Sequence, residues 1–174
     1  MKLGKLTARL PPPQRPLETE GNWEKVEENL GVTLPEDYKE YIGVYGSGAV
    51  GGFLTVFNPF ADQPGLNLLK QMKRQLDVFR ELRDKYGEPS PFAIFPERDG
   101  LLPVAMTDNG DVVFWLTVDL PENWSIVVNE ARSEEYQHFE CGLTELLAGM
   151  IDGSIRVGAF PESVFQNPSD FRVL

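Results

Sequence analysis

Along residues 22–31 the apolar positions fall at helical spacing: Trp23, Val26 and Leu30 recur with Glu27 on one face, Asn22 supplies an N-cap and Gly31 a stop. A second helix follows at once. Pro35 suits its first turn, Glu36 and Asp37 complement the positive end of its dipole, and Tyr38, Tyr41, Ile42 and Tyr45 form an i, i+3, i+4, i+7 stripe before Gly46. Residues 46–52 are glycine-rich and read as a flexible turn into a short β-rich run, 53–57, that Asn58 and Pro59 stop. The longest amphipathic pattern covers 66–86, where Leu69, Met72, Leu76, Phe79 and Leu82 lie three or four apart among charges, and Gly87 with Pro89 closes it.

Beyond this helix the period changes to two, which predicts strands at 92–96, 101–107, 112–118 and 125–129. Asn109-Gly110, between Asp108 and Asp111, tolerates the positive φ angles of a type I′ turn and predicts a hairpin. Residues 143–151 read as a last helix with Gly153 near its end. Helices first and consecutive strands afterwards predict an α+β fold, a central antiparallel sheet with helices packed on one face. Residues 1–21 carry Pro11, Pro12, Pro13 and Pro16 with little apolar periodicity and read as an extended, partly polyproline leader. The expected organisation is therefore a proline-rich extension over 1–21, one domain over 22–153, and a C-terminal tail over 154–174 packed on or near the domain.

Charge adds a constraint. There are 27 acidic against 16 basic residues, a formal net charge of -11. Direct nucleic-acid binding is not expected, because it depends on Lys and Arg neutralising phosphates. A basic partner would be attracted instead. The single cysteine, Cys141, forms no internal disulfide, and no early stretch has the pattern of a secretory signal, so a reducing, cytoplasmic address is expected. Even the apolar run 112–116 is hemmed in by Asp111 and Asp119, so no membrane span is predicted.

Motifs that could carry chemistry are incomplete. The glycines Gly46, Gly48 and Gly51 match a dinucleotide fingerprint as a string, but they leave a helix and enter a strand, the reverse of what phosphate binding at a helix N-terminus requires. His138 and Cys141 are the only residues of their types, too few to complete a zinc site or a thiol nucleophile with its base and orienter. Asp108 to Asp111 misses calcium-loop spacing, and turn chemistry explains it better. Glu97 and Asp99 are loop carboxylates of the kind usually solvated in an acidic chain. No catalytic residue, metal ligand or cofactor is expected, and the chain reads as a non-enzyme. Phe114 and Trp115 adjoin in one strand, so one is expected in the core and the other outward or beneath a helix.

The order of three segments adds a family. WEKVEENLG (23–31), LPEDYKEYIGVYGSG (34–48) and FPERDGLLPVAMTDNGDVVFWL (95–116) together resemble the SUKH superfamily, which includes the Smi/Knr-type proteins. The resemblance implies an α+β fold around an antiparallel sheet. It also implies an immunity protein that binds and neutralises a polymorphic toxin domain, often a nuclease, with a regulatory adaptor that binds signalling or cell-wall-assembly proteins as the alternative. It supplies no catalytic residues. Joined to the acidic excess, it makes carboxylates around the sheet the expected contacts for a basic toxin: Glu97, Asp99, Asp108, Asp111, Asp119 and Glu122, with Trp124 as an aromatic anchor.

Overall fold

The computed structural model describes residues 2–166 and 170–174. In chain order the elements are α1 (Lys2–Thr7), α2 (Trp23–Leu30), α3 (Glu36–Tyr45), β1 (Gly48–Val50), β2 (Leu54–Val56), α4 (Leu68–Tyr86), β3 (Leu101–Thr107) and β4 (Val112–Leu116). A single 3-10 turn at Pro121–Asn123 leads into β5 (Ser125–Asn129), β6 (Tyr136–Phe139), α5 (Leu143–Asp152), α6 (Ser163–Gln166) and β7 (Phe171–Val173). The helix starts obey local chemistry. Asn22 Oδ1 accepts from the Lys25 N–H at 2.9 Å and Asn67 Oδ1 from the Lys70 N–H at 3.2 Å, while Gly31 and Gly87 end α2 and α4 in the left-handed region.

The strands form one antiparallel sheet of seven, in the order β6-β5-β4-β3-β2-β1-β7. The α+β class and the antiparallel sheet are as the pattern predicts. Helix placement differs in one respect: the helices do not all lie on one face. Leu102, Val113, Trp115, Ile126 and Val128 point into the main core with Tyr38, Tyr41 and Ile42 of α3 and Leu143, Leu146 and Leu147 of α5. Leu101, Val112, Phe114 and Val127 point the other way, where Phe79 of α4 meets Phe114 edge-on at 5.1 Å. Phe114 and Trp115 are both buried, one on each side, because each face has its own cover.

Four local expectations are corrected. Residues 92–96 form no strand: Ile94 makes one isolated bridge to Leu101, and Pro91 and Pro96 have no N–H to extend it. The glycine-rich stretch contains β1, which pairs with both β2 and β7. Gly48 is needed there because a Cβ would run into the Phe171 ring and the Arg172 carbonyl. An edge strand, β6, was not predicted, since its residues alternate weakly and its register comes from β5.

The fourth correction concerns the leader. Its first residues are a helix, and Leu3, Leu6 and Leu10 are buried in the main core, where α1 packs on α5 and Arg9 pairs with Asp152 at 3.2 Å. Six residues cannot sustain a helix alone, so α1 depends on this contact. The proline segment then runs extended, and Glu18 ties it down. Its carboxylate accepts from the Ser47 hydroxyl and from the Asp62 N–H at 2.8 Å, and its carbonyl accepts from Asn58 Nδ2 at 2.9 Å.

Leu6→Ala is therefore expected to lower stability by about 2–5 kcal/mol in urea unfolding, as for a large core residue, and not the change of under about 0.5 kcal/mol of a loose leader. The α3 tyrosines give a second test. Burial raises the phenol pKa of Tyr38 and Tyr41, with a smaller contribution from a neighbouring tyrosine in each case, and pushes Tyr45 up to about 12. The stability that their protonated forms provide is complete below the ordinary value of 10.0 and is lost as pH rises through the raised values. Unfolding above pH 10 is expected to coincide with tyrosinate absorbance, and ionisation of these phenols in the intact fold would contradict it.

Candidate partner-binding groove

The groove is built where α3, the 121–123 turn, the N-terminus of α5 and the β5–β6 pair converge. Gly142 stands at the N-cap of α5 and has no side chain to cap it. Asp37, from the first turn of α3, supplies the missing acceptor: its Oδ2 takes the Thr144 N–H at 3.1 Å and the Thr144 hydroxyl at 3.0 Å. A Cβ at position 142 would sit 3.0 Å from that oxygen, so glycine permits the approach. The start of one helix is thus held against the start of another.

Beside this contact lie two adjoining hollows that share Glu122, Trp124 and Gly142. The smaller, about 200 Å³, has Trp115 and Trp124 in its wall and Glu36, Asp37, Glu40 and Glu122 around it. The larger, about 440 Å³, adds Glu140 and Glu145, together with His138, Ser125 and Cys141. Neither is lined by a lysine or arginine. Trp124 is 5% exposed and packs at 5.9 Å from Trp115, whose ring lies edge-on to Tyr38 at 4.9 Å. Trp23, packed against Tyr38 and Phe60, lies outside both hollows.

The sheet register separates the residues expected to form a contact surface. Glu97, Asp99, Asp119, Glu122 and Trp124 lie at the end where β3 begins and β4 finishes, with Thr117 joined to Gly100 by its N–H at 3.2 Å and its hydroxyl at 2.8 Å. Asp108 and Asp111 lie at the opposite end, a strand length of roughly 20 Å away. Glu97 is paired with Arg83 at 2.7 Å, while Asp99 and Asp119 are exposed on backbone with φ of 56 and 60. Asp111 is 2% exposed. Its carboxylate accepts from the Thr107 hydroxyl at 2.6 Å and from the Ala131 N–H at 2.9 Å, so it locks the hairpin to the end of β5. Trp124 likewise is wall and not protruding anchor. Of the residues expected to form a contact surface, Glu122 and Trp124 line these hollows; Glu36, Asp37, Glu40, Glu140 and Glu145 line them too, and only the meeting of α3, α5 and β6 brings them together.

The chemistry of the remaining candidates is plain. His138 Nε2 and Ser125 Oγ are 2.8 Å apart across the β5–β6 pair, but no carboxylate holds the other ring nitrogen among the described residues, so the pair lacks the orienting third member of a hydrolytic triad. Among the described residues no three His, Cys, Asp or Glu side chains are grouped to hold a metal ion, and no helix is long and apolar enough to cross a membrane. The glycines at 46, 48 and 51 serve the entry to β1 and the turn after it, and Ser47 is buried against Glu18 and Asn58.

Compared with known families, residues 20–147 match the family model described as SUKH_6, SMI1-KNR4 cell-wall. The chain belongs to the SUKH family. Neither the curated proteins nor the solved structures contain a match to it. The SUKH match includes α2 through the first half of α5, and hence every residue of the groove, while α1 and β7 fall outside it.

Asp111→Ala is expected to cost about 1–3 kcal/mol of stability, since it leaves the Ala131 N–H and the Thr107 hydroxyl unpaired, whereas Asp108→Ala in the exposed turn changes it by less than about 0.5 kcal/mol. Equal, small effects in urea unfolding would show that the buried carboxylate does not hold the hairpin.

Proposed function

We propose that this SUKH-family chain is an intracellular immunity protein that binds a toxin domain with a basic surface, such as a nuclease, and neutralises it by covering that surface. The observation that carries the reading is the groove, which brings six carboxylates together with no lysine or arginine in its lining. Such a surface attracts a basic cleft, speeds the encounter and repels acidic competitors. The exposed Asp99 and Asp119 at the same end of the sheet extend the field. Occlusion asks for no chemistry from the binder, in keeping with the incomplete Ser125–His138 pair.

The family description names the cell wall, and that wording favours a second reading, a non-enzymatic adaptor for signalling or cell-wall-assembly proteins. The two diverge in their partner. Co-expression with the toxin encoded beside this gene is expected to protect the cell and to yield a stable complex whose association rate falls about tenfold or more between low salt and about 0.5 M salt. Neither protection nor complex, with an assembly factor recovered instead, would replace the immunity reading with the adaptor.

A further inference from the structure

Strand β6 ends the sheet, and its outer side meets no other strand among the described residues. Which of its backbone groups face outward follows from the register. The Glu130 N–H donates to the carbonyl of Glu135, directly opposite, at 3.3 Å, so these two residues form a hydrogen-bonded pair. In antiparallel strands such pairs alternate with unbonded ones, and the register continues unbroken from Asn129↔Tyr136 to Ile126↔Phe139. Gln137 and Phe139 therefore turn their N–H and C=O toward β5, while Tyr136 and His138 turn theirs away from the sheet. Those outward donors and acceptors bond to nothing among the described residues.

Open edges are usually blunted by lysine, proline or a bulge, because a row of unpaired backbone groups is a template for another strand. None of these devices is present in β6: its sequence is Tyr136-Gln137-His138-Phe139, and its pairing has no register shift. Both faces of the strand are already occupied. On one, Phe92 packs at 5.8 Å from Tyr136 and 6.3 Å from His138. On the other, Gln137 fastens the 156–158 loop, its Oε1 accepting from the Gly158 N–H at 2.9 Å. The edge between them stays open.

Charge decides what fits that edge. Exposed Glu134 and Glu135 precede β6, exposed Glu140 follows it, and from Ser133 to Ile155 the chain carries no lysine or arginine. His138 and Glu140 also line the larger hollow, so the edge continues into the groove. A second copy pairing through β6 would set these glutamates against their own kind. The opposite edge, β7, is three residues long, carries Arg172 and lies outside the family match. We infer that the partner protein adds an extended segment bearing lysine or arginine to this sheet, as a further strand bonded to the outward groups of Tyr136 and His138. Main-chain bonds hold such a strand, and the flanking glutamates select its side chains. The inference rests on the reading of the chain as a binder of basic proteins and names the mode of binding which that reading leaves open.

Amide hydrogen exchange on the full ¹⁵N-labelled chain provides the test. In the free chain the Tyr136 and His138 amides are expected to exchange fast, and those of Gln137 and Phe139 slowly. The probe is acetyl-Lys-Val-Arg-Val-Lys-amide, which should slow the Tyr136 and His138 amides about tenfold or more at saturation and leave the β7 amides unchanged. Its counterpart with glutamate in place of each cation should bind about tenfold more weakly or worse. Proline at 138 removes an outward N–H and no bond to β5, so His138→Pro is expected to keep the β4 and β5 amide signals in place. It should bind the probe at least about tenfold more weakly than His138→Ala, which also lacks the imidazole but keeps the N–H. Equal binding by the two variants, equal binding of the two peptides, Tyr136 and His138 amides already protected in the free chain, or no protection at the solubility limit of the probe overturns the inference. A complex with the toxin encoded beside this gene that is equally tight for both variants overturns strand addition and leaves the immunity reading standing. Probe binding without protection from the toxin removes the immunity reading and leaves the edge site standing.

Discussion

A helix that buries tyrosines gains wherever it finds acceptors for their hydroxyls, and two such bonds from α3 organise much of this molecule. Tyr38, Tyr41 and Tyr45 are each fully buried. The Tyr38 hydroxyl donates to the Phe57 carbonyl at 2.6 Å, where the chain leaves β2, and the Tyr45 hydroxyl donates to the Leu10 carbonyl at 2.6 Å, at the end of α1. Buried phenols left without partners would oppose folding, so these two bonds fasten the sheet and the N-terminal segment to the same helix. Tyr41 stacks on Tyr45 at 4.9 Å and contributes packing alone, its hydroxyl having no partner among the described residues.

The groove follows from the same helix. Placing the tyrosine stripe against Trp115 fixes the rotation of α3 about its axis. That rotation sets Asp37 over the uncapped start of α5 and leaves Glu36 and Glu40 at the border of the hollow. Roles therefore differ along one turn of helix: Asp37 works on the fold, while Glu36 and Glu40 border the hollow. Lys39 completes the arrangement on the other side, where it pairs with Glu27 of α2 at 2.6 Å. Burial opposes the Glu27 carboxylate, yet the bonds from Lys39 and from the Leu34 N–H hold its pKa below the ordinary carboxylate value.

Trp115 Nε1 and Trp124 Nε1 are buried without a partner among the described residues, as are the Tyr41 hydroxyl and Gln71 Oε1. Both tryptophans wall the smaller hollow, whose carboxylates Glu36, Glu40 and Glu122 come from α3 and the 121–123 turn. The hairpin carboxylate Asp111 illustrates the opposite case. Its charge looked suited to a partner, but tertiary contacts draw it inside to hold Ala131 and Thr107.

Local physical chemistry was readable without coordinates: the Asn22 cap and Gly31 stop, the tyrosine stripe of α3, the Asn109-Gly110 hairpin and the family resemblance each depend on residues close together in the chain. The helical spacing of Leu3, Leu6 and Leu10 was also present, but the prolines after it dominated the reading, and six residues are helical only because α5 lies beneath them. Strands β1, β6 and β7 are short and take their form from partners distant in sequence, so no local pattern announces them. The two-sided sheet and the groove belong to the same category. Composition determined that this protein is acidic; which carboxylates border the groove and which serve the fold was decided by how α3, α5 and the sheet pack, because charge is a property of residues and a site is a property of their meeting.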